Sequence, residues 1–175
     1  MKIIDNYLTH IEYEDLHKYI MSLKFPWYFC NEKVIGSDID YNYQFIHNVV
    51  QNGKIENKDT FQILKPLFKK LNPLNILRVK LNLTTKTHKI IKFPLHRDIN
   101  VKDEKNIEQL KKDNFKIAIY YLNTNNGYTY FENEKKVKSE ANRLVKFDNI
   151  TYHSGTTNTD KNKRVLININ YNEKC

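Results

Sequence analysis

The sequence predicts an α+β protein: an antiparallel sheet or barrel covered on one side by N-terminal helices. Two observations carry this. Helical periodicity is confined to the first 71 residues, and from Ile76 to Tyr171 the apolar residues follow strand patterns instead. No βαβ alternation interrupts the second half, which argues against a parallel sheet. A length of 175 residues with 40% apolar and 13% aromatic content suits a single domain, 1–175, with a real core. Residues 1–75 read as its support and 76–171 as its core.

The elements follow in order. Lys2-Ile3-Ile4-Asp5 reads as a short strand. From Glu12 to Leu23, Tyr13, Leu16, Tyr19, Ile20 and Leu23 recur at helical spacing, with Thr9 placed to cap them. Pro26 ends that pattern and Trp27-Tyr28-Phe29 resumes as a strand. Tyr43 to Val50 reads as a strand closed by Asn52-Gly53. Thr60 to Leu71 reads as a second helix, which either kinks at Pro66 or begins near it. Ile76 to Leu83 alternates Ile76, Arg78, Lys80 and Asn82 against Leu77, Val79, Leu81 and Leu83. Lys116–Leu122, Tyr128–Glu132, Arg143–Asp148 and Arg164–Tyr171 read as further strands, with Asn123–Gly127 as a turn.

The charge is uneven. Lys+Arg number 29 against 20 Asp+Glu, a net +9. From Thr60 to Arg97 nine basic residues occur without one Asp or Glu, so the rest of the chain balances. Such a block suits nucleic acid, an anionic metabolite or an acidic protein. It also suits a chain in which Lys is the default surface residue. No apolar run approaches the roughly 18–20 residues of a membrane-spanning helix, and the N-terminal apolar patch is too short for a signal peptide. Cys30 and Cys175 form neither a disulfide framework nor a zinc cluster. The expectation is a reduced, cytoplasmic protein without a membrane partner, with Cys175 a free thiol.

The chemistry centres on His96-Arg97-Asp98. On an extended segment residues i and i+2 share a face, so an imidazole and a carboxylate can converge on one ion. The spacing alone is weak, because His10-Ile11-Glu12 shares it at a helix start, where the two side chains diverge. His153 follows after the strand ending at Phe147, and Arg164 opens the last strand. Two His and one carboxylate are the donor set of the facial triad that suits non-haem Fe(II) and leaves open positions.

These residues, with Ile119-Tyr120-Tyr121-Leu122-Asn123, Gly127-Tyr128-Thr129-Tyr130-Phe131, Asn142-Arg143-Leu144-Val145-Lys146-Phe147 and His153-Ser154-Gly155, resemble the Fe(II)/2-oxoglutarate-dependent dioxygenases. The likeness is to the prolyl-hydroxylase-like branch and its small viral relatives, from about Ile76 to Tyr171. Ile4-Asp5-Asn6-Tyr7-Leu8 and Phe25-Pro26-Trp27-Tyr28 extend it toward the N-terminus. The resemblance implies a double-stranded β-helix, a jelly-roll or cupin-like barrel with the N-terminal helices packed on one sheet. It implies His96, Asp98 and His153 as catalytic iron ligands, and Arg164 as the clamp on the distal carboxylate of 2-oxoglutarate. A planar guanidinium grips a carboxylate bidentately, as Lys cannot. Tyr121 is implied as a second contact to that carboxylate, and its parity places it with Ile117 and Ile119. Asn82 is read as a cofactor-binding residue at the pocket mouth, with a surface amide as the alternative. Arg97, between two ligands, points the other way.

The implied reaction consumes 2-oxoglutarate and O2 at Fe(II), releases succinate and CO2, and hydroxylates a peptidyl residue or a small molecule, with ascorbate as an accessory reductant. A virus-encoded chain would act in the host cytoplasm. Two positions depart from the family pattern. Leu166 stands where many members place Ser or Thr, and Asn170 where the nucleic-acid demethylase branch places a second Arg. The first raises the weight on Tyr121, and the second disfavours nucleic acid as partner. Two alternatives stand beside the oxygenase: a non-catalytic barrel that binds a metal or metabolite, and a basic nucleic-acid-binding module. The substrate, small molecule or protein and of anionic leaning, is set by loops, of which 100–114 and 132–140 are the candidates.

Overall fold

The computed structural model describes residues 1–34, 39, 41–98 and 114–174. Helix α1 spans His10–Ile20 and opens on the expected cap. The Thr9 side chain accepts from the Glu12 N–H while the Glu12 carboxylate accepts from the Thr9 N–H, a reciprocal capping box. This explains the decoy at His10-Ile11-Glu12: its carboxylate serves the helix end. The helix closes at Ile20 rather than Leu23, with the Met21 N–H on the His17 carbonyl. Leu23 is left in solvent because the chain turns at Ser22 to bury Phe25, whose ring packs on Trp27 and His47.

The expected second helix is two. Helix α2 covers Lys58–Ile63 and α3 covers Lys65–Leu71, joined at Leu64. Pro66 lies in the first turn of α3, where its missing N–H breaks no helical bond. Asn72 then ends α3 in a left-handed conformation with φ 52°.

Eleven strands are described: β1 Lys2–Ile4, β2 Tyr28–Cys30, β3 Gln44–Gln51, β4 Lys54–Ile55, β5 Pro73–Thr85, β6 Phe115–Tyr121, β7 Tyr128–Phe131, β8 Lys136–Lys138, β9 Arg143–Asp148, β10 His153–Gly155 and β11 Lys163–Glu173. The short β4, β8 and β10 carry too few residues for an alternation to register. The larger sheet runs β1-β9-β6-β11-β5-β3-β2, with β4 also on β3, and the smaller runs β10-β7-β8. All pairings between these strands are antiparallel. The segment 92–96 lies along β10 through bridges Lys92↔Thr156 and His96↔His153.

The larger sheet has two different faces. One presents Val79, Leu81, Ala118, Tyr120, Leu144, Val165, Ile167 and Ile169 to α1 and α3, which bury Leu16, Ile20, Leu67, Phe68 and Leu71 against it. This is the expected helical cover. The other face turns toward the smaller sheet. On its β6–β9 side Ile117, Ile119, Tyr121, Val145 and Phe147 pack with Phe131 and Val137. On its β11–β5 side the same face is polar, because the register sets Arg164, Leu166, Asn168 and Asn170 opposite Thr84, Asn82, Lys80 and Arg78. An apolar core on one side of the barrel and polar side chains on the other leave a cavity between them. The arrangement is the double-stranded β-helix expected from the resemblance.

No helix among the described residues is long and apolar enough to cross a membrane. Cys30 is free, its Sγ donating to the Glu32 carbonyl, while Cys175 lies outside the described residues. The loop at 100–114, apart from Asn114, also lies outside them.

Candidate metal centre and anion pocket

His96 and His153 face each other across a two-bond antiparallel pair. The His96 N–H donates to the His153 carbonyl at 3.0 Å and the His153 N–H to the His96 carbonyl at 3.1 Å. Directly opposed residues put their side chains on one face, and the ring centroids are 5.2 Å apart. Each ring is turned the same way. His96 Nδ1 lies 3.1 Å from the Pro94 carbonyl and His153 Nδ1 3.1 Å from the Thr151 carbonyl. A carbonyl only accepts, so Nδ1 carries the proton and Nε2 presents its lone pair to the cavity. Burial pushes the His153 imidazole below its usual value, against the opposing pull of Asp98 and the Thr151 carbonyl. The ring is therefore held in the neutral, ligating form. Phe147 and Phe131 pack against it and fix its plane.

Asp98 completes the group. Its Oδ1 lies 3.8 Å from His96 Nε2, and one donor atom from each of the three residues lies within 4.8 Å of the others. An ion with ligands at about 2.1 Å would draw these donors closer together, since two such ligands stand at most about 4.2 Å apart. The carboxylate's two oxygens are unlike. Oδ2 accepts from Asn168 Nδ2 at 2.9 Å, Asn170 Nδ2 at 3.1 Å and Arg78 at 3.0 Å. Oδ1 is left for the ion. Burial opposes ionisation of Asp98, but Arg78, with His153, the Asn168 amide and His96, holds the carboxyl far below the usual range. Asp98 is thus ionised, His153 neutral and all three side chains oriented, as a divalent cation requires.

Arg164 lies in the same cavity, 1% exposed. Its Nε donates to Ser139 Oγ at 2.7 Å and its NH2 to Thr129 Oγ1 at 3.3 Å. It makes no ion pair among the described residues. Burial lowers its pKa, with only Tyr121 pulling the other way. Two glycines make room for it: a Cβ on Gly127 would stand 2.8 Å from Arg164 Cδ, and one on Gly155 3.3 Å from its NH1. A guanidinium set deep beside a candidate metal group, with no carboxylate of its own among the described residues, can accept a carboxylate brought by a ligand.

The structure brings His96, Asp98, His153, Arg164 and Asn82 to one cavity. Asn82 is buried and donates to the Lys80 carbonyl at 3.2 Å, so it is not a surface amide. Tyr121 shares its cluster with Ile117 and Ile119, as parity requires. Its hydroxyl donates to Thr129 Oγ1 at 2.7 Å, which joins it to Arg164 through a shared oxygen. Arg97 points away and stacks on Tyr152, 4.1 Å from the ring centroid.

The sequence reading missed Arg78, Asn168, Asn170 and Lys33. Strand parity could have found the first three. Asn168 and Asn170 follow Arg164 by four and six residues, and Arg78 precedes Asn82 by four. Asn170, first noticed as a departure from a family pattern, holds a candidate metal ligand instead. Lys33 follows β2 in an irregular segment and lines the cavity. The basic block 60–97 is likewise not one surface. Lys69 and Lys70 lie exposed at the end of α3, while Arg78 and Lys80 face inward.

No protein-family model and no curated protein matches the chain. Solved structures do match in fold. The non-heme alpha-ketoglutarate-dependent epimerase SnoN of nogalamycin biosynthesis aligns over 98% of this chain and 76% of its own, at 12% identity and TM-score 0.63. A prolyl hydroxylase from Trichoplax adhaerens, solved with a hypoxia inducible factor peptide fragment, aligns over 98% and 83%, at 13% identity and TM-score 0.64. A Pseudomonas putida prolyl-4-hydroxylase aligns over 99% and 92%, at 11% identity and TM-score 0.55. The chain has the double-stranded β-helix fold of these oxygenases, the superfamily that its sequence motifs resemble.

Proposed function

We propose that the chain is an Fe(II)- and 2-oxoglutarate-dependent oxygenase that hydroxylates a small molecule or a peptidyl residue. The observation that carries this is Arg164, a buried guanidinium without a carboxylate partner among the described residues, in one cavity with a His-Asp-His group. A metal-binding barrel without 2-oxoglutarate chemistry gives no reason to bury that cation.

His96 Nε2, Asp98 Oδ1 and His153 Nε2 would hold the iron, and Arg164 the distal carboxylate of 2-oxoglutarate. When bound, Fe(II) with 2-oxoglutarate and O2 supplies the oxidising power: the co-substrate leaves as succinate and CO2, and one oxygen atom enters a substrate C–H bond. The protein's own part is orientation. Arg78, Asn168 and Asn170 fix Asp98 so that only Oδ1 faces the ion. Ser139 and Thr129 aim the guanidinium, and Tyr121 steadies Thr129. Ile119 and Leu166 give the cavity an apolar wall that excludes water from the reacting carbon. Leu166 offers no hydroxyl to the carboxylate, so the guanidinium and its neighbours carry that contact.

The test is Fe(II)- and O2-dependent conversion of 2-oxoglutarate to succinate across a panel of peptide and metabolite substrates. The expected result is turnover in the wild type and none in His96→Ala. Metal binding without succinate release over the whole panel would return the chain to the non-catalytic alternative.

A further inference from the structure

Two further cations face the cavity. Lys33 sits over the Phe93 ring, its Nζ 3.8 Å from the centroid. A Cβ on Gly155 would stand 3.6 Å from Lys33 Nζ and 3.3 Å from Arg164 NH1, so the two cations are neighbours across the glycine. Lys80 projects from β5 beside Asn82, opposite Asn168. Neither ammonium makes a hydrogen bond or ion pair among the described residues. Among the described residues that line the cavity Asp98 is the only acidic one, and its Oδ2 is already taken by Arg78 and two amides.

The charges can be followed through the loaded site. Asp98 balances Arg78. A divalent iron and the doubly charged co-substrate balance each other. Among the described lining residues Arg164, Lys33 and Lys80 remain, three cationic side chains facing one cavity. Cations drawn even partly out of water without partners are costly. Both lysines show it: burial, then Arg164 and Lys80, pushes Lys33 well down, and burial, then Arg78, pushes Lys80 down.

We propose, resting on the oxygenase reading, that the oxidised substrate carries a compact anionic group, a carboxylate or phosphate, which docks between Lys33 and Lys80 while 2-oxoglutarate occupies Arg164. The placement follows the sheet. Arg164 lies on β11 toward Thr129 and Ser139, whereas Lys80 lies on β5 and Lys33 comes from the segment between β2 and β3. Lys80 is therefore set four residues along the β11–β5 ladder from Arg164, opposite Asn168. Gly155 leaves room for Arg164 NH1 and Lys33 Nζ, and Phe93 gives Lys33 a platform that needs no counter-ion.

Inorganic phosphate and acetate, titrated separately by calorimetry into protein loaded with Fe(II) and 2-oxoglutarate under nitrogen, test this. At least one anion is expected to bind the wild type. Its affinity should fall roughly tenfold or more in Lys33→Met and in Lys80→Met, the loss of one charge-assisted contact. The thermal midpoints of both variants should equal or exceed that of the wild type, because each removes a partly buried cation that is unpaired among the described residues. Binding of phosphate alone identifies a phosphoryl substrate, and of acetate alone a carboxylate. Failure of both anions to bind the loaded wild type, or binding unchanged in both variants, overturns the proposal. So does displacement of 2-oxoglutarate by the probe, which makes the cavity a single anion site. If 2-oxoglutarate itself does not bind, the oxygenase reading fails; the same titrations on metal-free protein then still decide whether the lysine pair binds an anion.

Discussion

Replacing Arg164 by Lys keeps the charge and removes the fork, and its cost can be worked from the contacts. A guanidinium has five N–H donors. Nε serves Ser139 and one NH2 hydrogen serves Thr129, which leaves both NH1 hydrogens and one on NH2 for an incoming carboxylate. An ammonium in the same pocket has three hydrogens for the same demands. It cannot grip the carboxylate bidentately while also satisfying Ser139 and Thr129. The loss is about one charge-assisted hydrogen bond, roughly 1.5–3 kcal/mol, or about ten- to hundredfold in 2-oxoglutarate affinity. The assay is calorimetric titration of 2-oxoglutarate into metal-loaded protein without O2, with metal content measured on the same sample. Metal binding should be unchanged, since Arg164 touches none of the three ligands. A 2-oxoglutarate affinity within about twofold of wild type would refute the assignment of Arg164.

Three other outcomes are expected. Arg78→Gln removes the cation that ionises and aims Asp98, and should lower metal affinity about 10–100-fold in a chelator competition; undiminished affinity would show that the two amides suffice. Gly127→Ala forces a Cβ to within 2.8 Å of Arg164 Cδ and of the Thr157 carbonyl. It should cost roughly 1–3 kcal/mol in denaturant unfolding and weaken 2-oxoglutarate binding with it. Lys33 has a folded pKa below its unfolded value, so between the two the unfolded chain binds a proton that the native one lacks, and stability rises with pH. The metal-free wild type should therefore gain stability over Lys33→Met as pH rises toward the ordinary lysine range, and parallel pH profiles would contradict the desolvated placement of Lys33.

Much of this site is written in residue spacing. His96 and Asp98 share a face because two residues of extended chain separate them, and Arg164 stands alone as an inward basic residue at the start of β11. Parity also marks Asn168 and Asn170: once Arg164 points inward, they must too, and two amides on the inner face of a buried strand call for a polar partner. What spacing does not carry is which strand lies opposite. That His153 pairs with His96 depends on segment 92–96 lying along β10, a contact across 57 residues of sequence. Lys33 was illegible for a different reason. It belongs to no repeating element, so only the folded chain brings it to Gly155. The split of the second helix at Leu64 was half legible, since Pro66 marked a break but its first-turn position was one of two outcomes. The +9 charge misled as a surface feature, because Arg78 and Lys80 turn into the barrel.

The central claim is that one cavity holds a metal and a dicarboxylate side by side. A crystal structure grown without O2 in the presence of Fe(II) and 2-oxoglutarate tests it most directly. The account predicts iron on His96 Nε2, Asp98 Oδ1 and His153 Nε2, with the distal carboxylate of 2-oxoglutarate on Arg164. Iron bound elsewhere, or a guanidinium left without the carboxylate while iron is present, would contradict it.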